Sequence, residues 1–479
     1  MLVFFILLYL VANMGVGYWA SRRVHSTSDF LLAGRQLPFY ISTAVVFATW
    51  FGSETLLGAS SEFAAHGLLG VIEDPFGAAL CLVLVGLFFA KKLYRMNLLT
   101  MGDYYRVRYN RTTELLAAFF MVISYFGWVA AQMVALGIVM NQIFGTSLPV
   151  GILCGSLLVI GYTYLGGMWS VSITDFVQTI MIIGGLIFIV ADLLWQVPLA
   201  KVTAGLPADF FRFVPQEHDA TTWLNYAGLW ITIGLGSIPQ QDVFQRVMSA
   251  RSERVAVFSS IAAGFLYLTV ALMPLVIALY ARALHPDLLQ QDAQLLVPGL
   301  ILQSSSLWIK VLFFGALLSA IISTASGAIL APASILSENM LRPLLPRLTD
   351  AKLLRLSRLS VLVVAAISLA MALSSSNIYE LVSESSALSL VSLFVPLVAG
   401  MFWRRTNSAA AIASMLAGMG AWLWALHLDT LVNPMLYGLA ASILGLLVAL
   451  PFGPNAAKRT QPLQESRLPE SITSGKHAS

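Results

Sequence analysis

Ala48-Thr49-Trp50-Phe51-Gly52-Ser53-Glu54-Thr55-Leu56-Leu57-Gly58 sets helix-breaking glycines, hydroxyls and a carboxylic acid into the middle of an otherwise apolar run. Far along the chain, Ala320-Ile321-Ile322-Ser323-Thr324-Ala325-Ser326-Gly327 interrupts a second apolar run in the same way. In hydrocarbon an unpaired carbonyl or hydroxyl costs several kcal/mol, so such segments persist where a neighbour, an ion or a solute satisfies them. Whatever this chain does is expected to happen there.

The surroundings are those of a bilayer. The chain has 479 residues, 58% of them hydrophobic and 10% charged, and its mean hydropathy of +0.82 excludes the soluble globular class. Its formal net charge of +4 resides in short loops between apolar runs, so the basic balance speaks of topology and not of a nucleic-acid partner. Cys81 and Cys154 both fall within apolar runs without metal-ligand spacing. The N-terminus is apolar at once, with no basic n-region and no A-x-A pattern before Arg22 and Arg23, which predicts a retained first span.

Windows of about 20 apolar residues mark about 13 crossings. They lie near 2–20, 39–65, 70–92, 113–143, 148–166, 172–196, 222–241, 255–282, 306–338, 356–375, 378–403, 408–427 and 432–452, and are numbered spans 1 to 13 below. Every basic cluster follows an odd span: Arg22 and Arg23; Lys91, Lys92, Arg95, Arg106, Arg108 and Arg111; Arg246, Arg251 and Arg254; Arg342, Arg347, Lys352, Arg355 and Arg358; Arg404 and Arg405. Loops after even spans, such as 141–148 and 374–377, carry little or no positive charge. By the positive-inside rule the odd loops are cytoplasmic, with the N-terminus outside and the C-terminus inside a cell (inner) membrane. Residues 453–479, polar and bearing Pro and Ser, are predicted to form a disordered cytoplasmic tail too short for a domain.

In span 2, Gly52 and Gly58 flank Ser53, Glu54 and Thr55 and let the helix open, freeing carbonyls such as those of Ala48 and Phe51. The alternative is a face of small residues for close helix packing. Span 7 is interrupted too, by Gly234-Leu235-Gly236-Ser237-Ile238-Pro239-Gln240-Gln241-Asp242. Matching breaks at the head of two runs of five spans point to an inverted repeat with a binding site at the midplane. In span 9, Ala320, Ser323 and Thr324 lie at i, i+3 and i+4 and share a face. Their hydroxyls either bond back to the i−4 carbonyl or join the span 2 carbonyls. Five neutral oxygens of that kind suit a small hard monovalent cation such as sodium, because a carboxylate cage would hold its ion too firmly.

These residues resemble the sodium:solute symporter family, over about residues 1–450. The most specific pieces are Gly166-Gly167-Met168-Trp169-Ser170-Val171-Ser172 with Thr174-Asp175 and Gln178, then Gln245-Arg246, and the Ser323-Thr324 segment running to Ser337-Glu338-Asn339. Ala48-Thr49-Trp50, Gly86-Leu87-Phe88-Phe89-Ala90-Lys91, the Trp128 segment, and Ile238-Pro239 with Phe244-Gln245-Arg246 look like its choline-transporter-like branch. The resemblance implies an all-α polytopic protein of LeuT-type fold, a five-plus-five inverted repeat with flanking helices. The expected divisions are a first helix and loop (1–38), two repeats (39–197 and 198–404), two C-terminal helices (405–452) and the tail. It implies a sodium site from the carbonyls of Ala48, Phe51 and Ala320 and the hydroxyls of Ser323 and Thr324, with Asp175 near the ion's exit path.

Trp50 and Trp128 match aromatic positions of a cation pocket, and aromatic faces attract quaternary ammonium groups. Gln240 stands where the branch would have a further tryptophan, and Asp242 is an added acid. Glu54, Thr55 and Gln241, in the same breaks, complete the candidate solute contacts. The implied function is sodium-driven uptake of a small solute, such as an amino acid, a choline- or betaine-like cation or another osmolyte, with no organic cofactor and no enzyme activity. Glu73-Asp74-Pro75 opens span 3 as either functional buried acids or a water-facing helix start; Glu384 in span 11 is a third candidate acid. Glu54, Glu73 or Asp74 would instead serve a proton-coupled variant. The six histidines form no H-x-x-x-H pair and no Gly-rich phosphate loop occurs, which argues against an intramembrane enzyme, while the short tail leaves a sensor without an output domain and no filter-like loop marks a channel.

Overall fold

The computed structural model describes residues 1–452 except His25, Asp292, Ser305, Pro346, Arg347 and Ser376. The expected tail at 453–479 and Arg347 of the loop after span 9 therefore lie outside the described residues. Among the described residues the protein is all-helical, with one isolated parallel bridge between Leu37 and Ala250. Among the described residues nine helices are long and apolar enough to cross a membrane, and they fall on the windows of spans 3, 4, 6 and 8–13.

The other four windows hold different objects. Span 1 is the helix Leu2–Ser21. Span 2 is broken into Phe39–Trp50, a wide π turn over Glu54–Gly58, and Ala59–His66. Span 7 is broken into Ala220–Gly236 and Gln241–Ser249. Span 5 runs into span 6 within Leu148–Gln196, whose backbone leaves the helical region only at Gly167, with φ 51° and ψ −153°. A Cβ there would also lie 2.4 Å from Phe30 Cδ2, so both dihedral and space require glycine.

The connections after odd spans gather at one end of the bundle. Thr27 Oγ1 donates to Asp350 Oδ1 at 2.7 Å, Arg35 Nη2 to the Leu98 carbonyl at 2.7 Å, and the Arg251 amide to the Leu37 carbonyl at 2.9 Å. Arg108 Nε donates to the Gly400 carbonyl at 2.6 Å, and Arg111 Nη2 to the Asn339 carbonyl at 2.7 Å. Guanidinium donors thus close the carbonyl ends of helices that have no intrahelical partner. The even connections meet at the opposite end, where the Leu68 amide donates to the Phe210 carbonyl at 2.9 Å and the Tyr280 hydroxyl to the Val197 carbonyl at 2.6 Å. There Asp219 caps span 7, and the Thr222 backbone amide, with the Thr222 hydroxyl, holds its carboxyl below the usual carboxylate range.

Span 9 is the axis of the packing. Every residue from Phe313 to Ile335 is buried, which requires a helix apolar on all faces and leaves its few hydroxyls no water to bond. Ser319 solves this locally by donating to the Gly315 carbonyl at 2.6 Å.

Gly167→Ala is expected to lower the thermal midpoint of the detergent-purified protein by several degrees, from roughly 1–2 kcal/mol of left-handed strain plus the clash with Phe30. Gly161→Ala, where nothing lies within 4 Å of the added carbon, should leave it unchanged.

Candidate functional site

The break in span 2 releases one carbonyl. In a continuous helix the Gly52 amide would donate to Ala48; here it turns to the Trp50 carbonyl at 3.1 Å, and Phe51 takes φ −84° and ψ 80°. The Ala48 carbonyl accepts instead from span 9, from Thr324 Oγ1 at 2.9 Å and from Ser323 Oγ at 3.4 Å. Of the two alternatives for these hydroxyls, the geometry favours the cross-helix one, since both meet partners on other spans. Close packing is present as well: a Cβ on Gly52 would stand 2.7 Å from Thr324 Oγ1. Ala48, Phe51, Ala320, Ser323 and Thr324 are all buried around this crossing.

The surroundings are less neutral than the five oxygens suggested. Ser323 Oγ also donates to Asp175 Oδ1, which brings Asp175 of span 6 directly onto the crossing. Arg246, from the second half of span 7, is buried between Asp175 and Asp242 and donates through Nε to Thr49 Oγ1 at 2.7 Å. Its guanidinium fits because Gly327 has no side chain; a Cβ there would be 2.3 Å from Nη2. Asp242 is fixed from span 4, accepting from the Tyr125 hydroxyl while its amide donates back to Tyr125 at 2.8 Å.

Beside the crossing lies a small cavity of about 20 Å³. Trp50, Glu54, Trp128 and Gln240 line it, as four of the six predicted solute residues. Thr55 stands behind the wall, bonded to the Tyr267 hydroxyl at 2.6 Å. Gln241 faces away, donating to Ser334 Oγ at 3.1 Å and accepting from the Met101 amide at 2.6 Å. Gln240 is the extended residue before the helix Gln241–Ser249 (φ −74°, ψ 148°), and the change of backbone direction there turns the two amides to different sides.

Asp74, Tyr267, Ser237, Ser385 and Ser386 also line the cavity. Glu73 and Asp74 do not face water: both are buried, Glu73 accepting from Ser383 Oγ at 2.8 Å and Asp74 from the Tyr267 hydroxyl. Pro75 does not open a regular helix either, because Asp74 is extended (φ −137°, ψ 121°) and the Asp74–Pro75 bond is cis. Glu384 is exposed, while its neighbours Ser385 and Ser386 turn inward. Gln132 clamps the opened turn from span 4, accepting from the Ser53 amide at 3.2 Å and donating to Glu54 Oε2 at 3.0 Å. A lone amide in an apolar span was the sequence signal for it; Tyr267 carried none.

A helical bundle in which two broken helices bring a released carbonyl and a polar cavity together is the architecture of a secondary transporter. The chain belongs to the sodium:solute symporter family, whose profile matches residues 30–418. It is 28% identical over 460 residues to the high-affinity choline transporter 1 of Caenorhabditis elegans, spanning 87% of this chain and 76% of that one. The human high affinity choline transporter 1 is 26% identical over 442 residues, covering 87% and 74%. A solved Na+-coupled sialic acid symporter in a substrate-bound outward-open state superposes with a TM-score of 0.81 at 20% identity, covering 95% of this chain and 98% of its own. The fold is therefore LeuT-type, and the protein is a multi-pass membrane transporter and not an enzyme.

Arg246→Met removes the buried guanidinium and its hydrogen bond to Thr49 and is expected to destabilise the protein by about 1.5–3 kcal/mol, read as a fall in thermal midpoint. Adding Asp242→Asn to that variant should recover part of the loss.

Proposed function

We propose that this protein imports a small polar organic solute by coupling it to sodium entry, with Ala48, Phe51, Ala320, Ser323 and Thr324 as the sodium ligands. The observation that carries the proposal is the division of labour along three consecutive residues. Ala48 gives its carbonyl to Ser323 and Thr324, Thr49 receives Arg246, and Trp50 lines the cavity. Ion and solute contacts thus share the last turn of the helix Phe39–Trp50, at the edge of the break.

Coupling follows from that sharing. A cation held between the Ala48 carbonyl and the Ser323 and Thr324 hydroxyls fixes the first half of span 2 against span 9. The side chains of Trp50 and Glu54 are then set in place for the solute, and a solute on those side chains stabilises the same arrangement in return. Asp175, bonded to Ser323, can accept the ion as it leaves towards the end of the bundle where the basic loops gather; that end is assigned to the cytoplasm of a cell membrane. Choline is what the two relatives named above carry by name, and a cationic solute suits a cavity walled by indoles and two acids.

In proteoliposomes, Ser323→Ala with Thr324→Ala should abolish solute uptake driven by an inward sodium gradient while the protein still inserts and elutes as a single species. Unchanged sodium dependence would overturn the site. Uptake that persists without sodium and collapses with a protonophore would transfer the coupling to protons and to the buried acids Glu54, Glu73 and Asp74.

A further inference from the structure

The residues lining the cavity include two acids and no lysine or arginine. Glu54 and Asp74 are only 5% and 1% exposed. Their described hydrogen-bond partners are neutral: Gln132 Nε2 donates to Glu54 at 3.0 Å, and the Tyr267 hydroxyl to Asp74 Oδ1. Among the described residues Asp74 Oδ2 is buried without a hydrogen-bond partner, and so is the indole nitrogen of Trp50 on the same cavity. A carboxylate oxygen taken out of water without donor or cation is costly, and the cost is recovered by whatever enters and supplies both.

The arrangement separates three kinds of solute. A quaternary ammonium is attracted by the faces of Trp50 and Trp128, but it has no N–H, and its methyl groups keep the nitrogen away from Asp74 Oδ2. A zwitterion with its own carboxylate would add a third acid to a lining without a basic side chain. An ammonium with at least two N–H groups gives each acid a charge-assisted donor and still presents its positive end to the indoles. The rest of such a molecule would meet the hydroxyls of Ser237 and Ser386 and the unpaired Trp50 N–H, which suit a neutral oxygen.

We infer that the solute is a primary or secondary ammonium compound whose N–H groups bind Glu54 and Asp74. For transport this rests on the symporter proposal above; for binding it stands alone. Sites built to hydrogen-bond a donor reject analogues lacking it far more strongly than sites that merely fit an apolar group. The Gln240 that replaces an expected aromatic wall points the same way, since an amide offers hydrogen bonds where an indole would offer a face.

The test is equilibrium binding to the purified full chain in sodium-containing buffer, by calorimetry, of two matched pairs: ethanolamine against choline, and benzylamine against benzyltrimethylammonium. In each pair the primary amine should bind at least about ten-fold tighter. Asp74→Asn should erase that preference by weakening the amine and not the quaternary member. Equal or tighter binding of the quaternary members overturns the inference, as does failure of all four to bind at millimolar concentration; if Asp74→Asn does not fold, the wild-type pairs still decide. Gradient-driven uptake in proteoliposomes is read separately. Amine binding without sodium-driven uptake overturns the symport proposal alone, whereas sodium-driven uptake of a quaternary or neutral solute overturns this inference alone.

Discussion

The structure depends on one displaced hydrogen bond. A peptide carbonyl inside a bilayer has no water to turn to, so when the Gly52 amide bonds to Trp50 the Ala48 carbonyl must find a partner elsewhere. The donors it finds are the hydroxyls of Ser323 and Thr324, on a helix buried at every residue from Phe313 to Ile335. The neighbouring residues are arranged around that need: Gly52 clears the approach, Gln132 holds the opened turn, and Arg246 pins Thr49 next door. A regular helix at 48–58 would satisfy itself and have nothing to offer an ion.

The charges beneath the crossing follow the same logic. Asp175, Arg246 and Asp242 come from spans 6 and 7 and lie in a buried cluster anchored to Ser323, Thr49 and Tyr125. Burying one of them alone would be prohibitive; together, with hydrogen bonds to neutral neighbours, they tie five spans to one another. Such a cluster gives span 9 and the two broken spans a common reference, which is what a transporter needs if its halves are to move as units.

Much of this was legible in the residues. The glycines and hydroxyls at 48–58 and 320–327 sit in apolar runs where only function or packing can explain them, and at Gly52 the close packing on Thr324 is plain. The odd-numbered basic loops could be counted from charge alone, and they do meet at one end. What sequence spacing could not supply was the depth and direction of side chains whose neighbours come from distant spans. Asp74 and Glu384 look alike as acids in polar company, yet Tyr267 draws the first into the cavity while the second is turned outward. Gln240 and Gln241 are adjacent, but only the backbone geometry of the break decides which one lines the wall. Tyr267 itself gave no signal, because a tyrosine in an apolar helix reads as packing until its hydroxyl is located.

Gly52 has one more consequence. Its α-carbon is the point at which the opened half of span 2 rests on Thr324, with no room for even a methyl group between them. Under the proposed coupling, the fidelity with which solute movement is tied to ion movement would be held in a gap of atomic width. A chain that widened it would keep its cavity and its charges and become a leak.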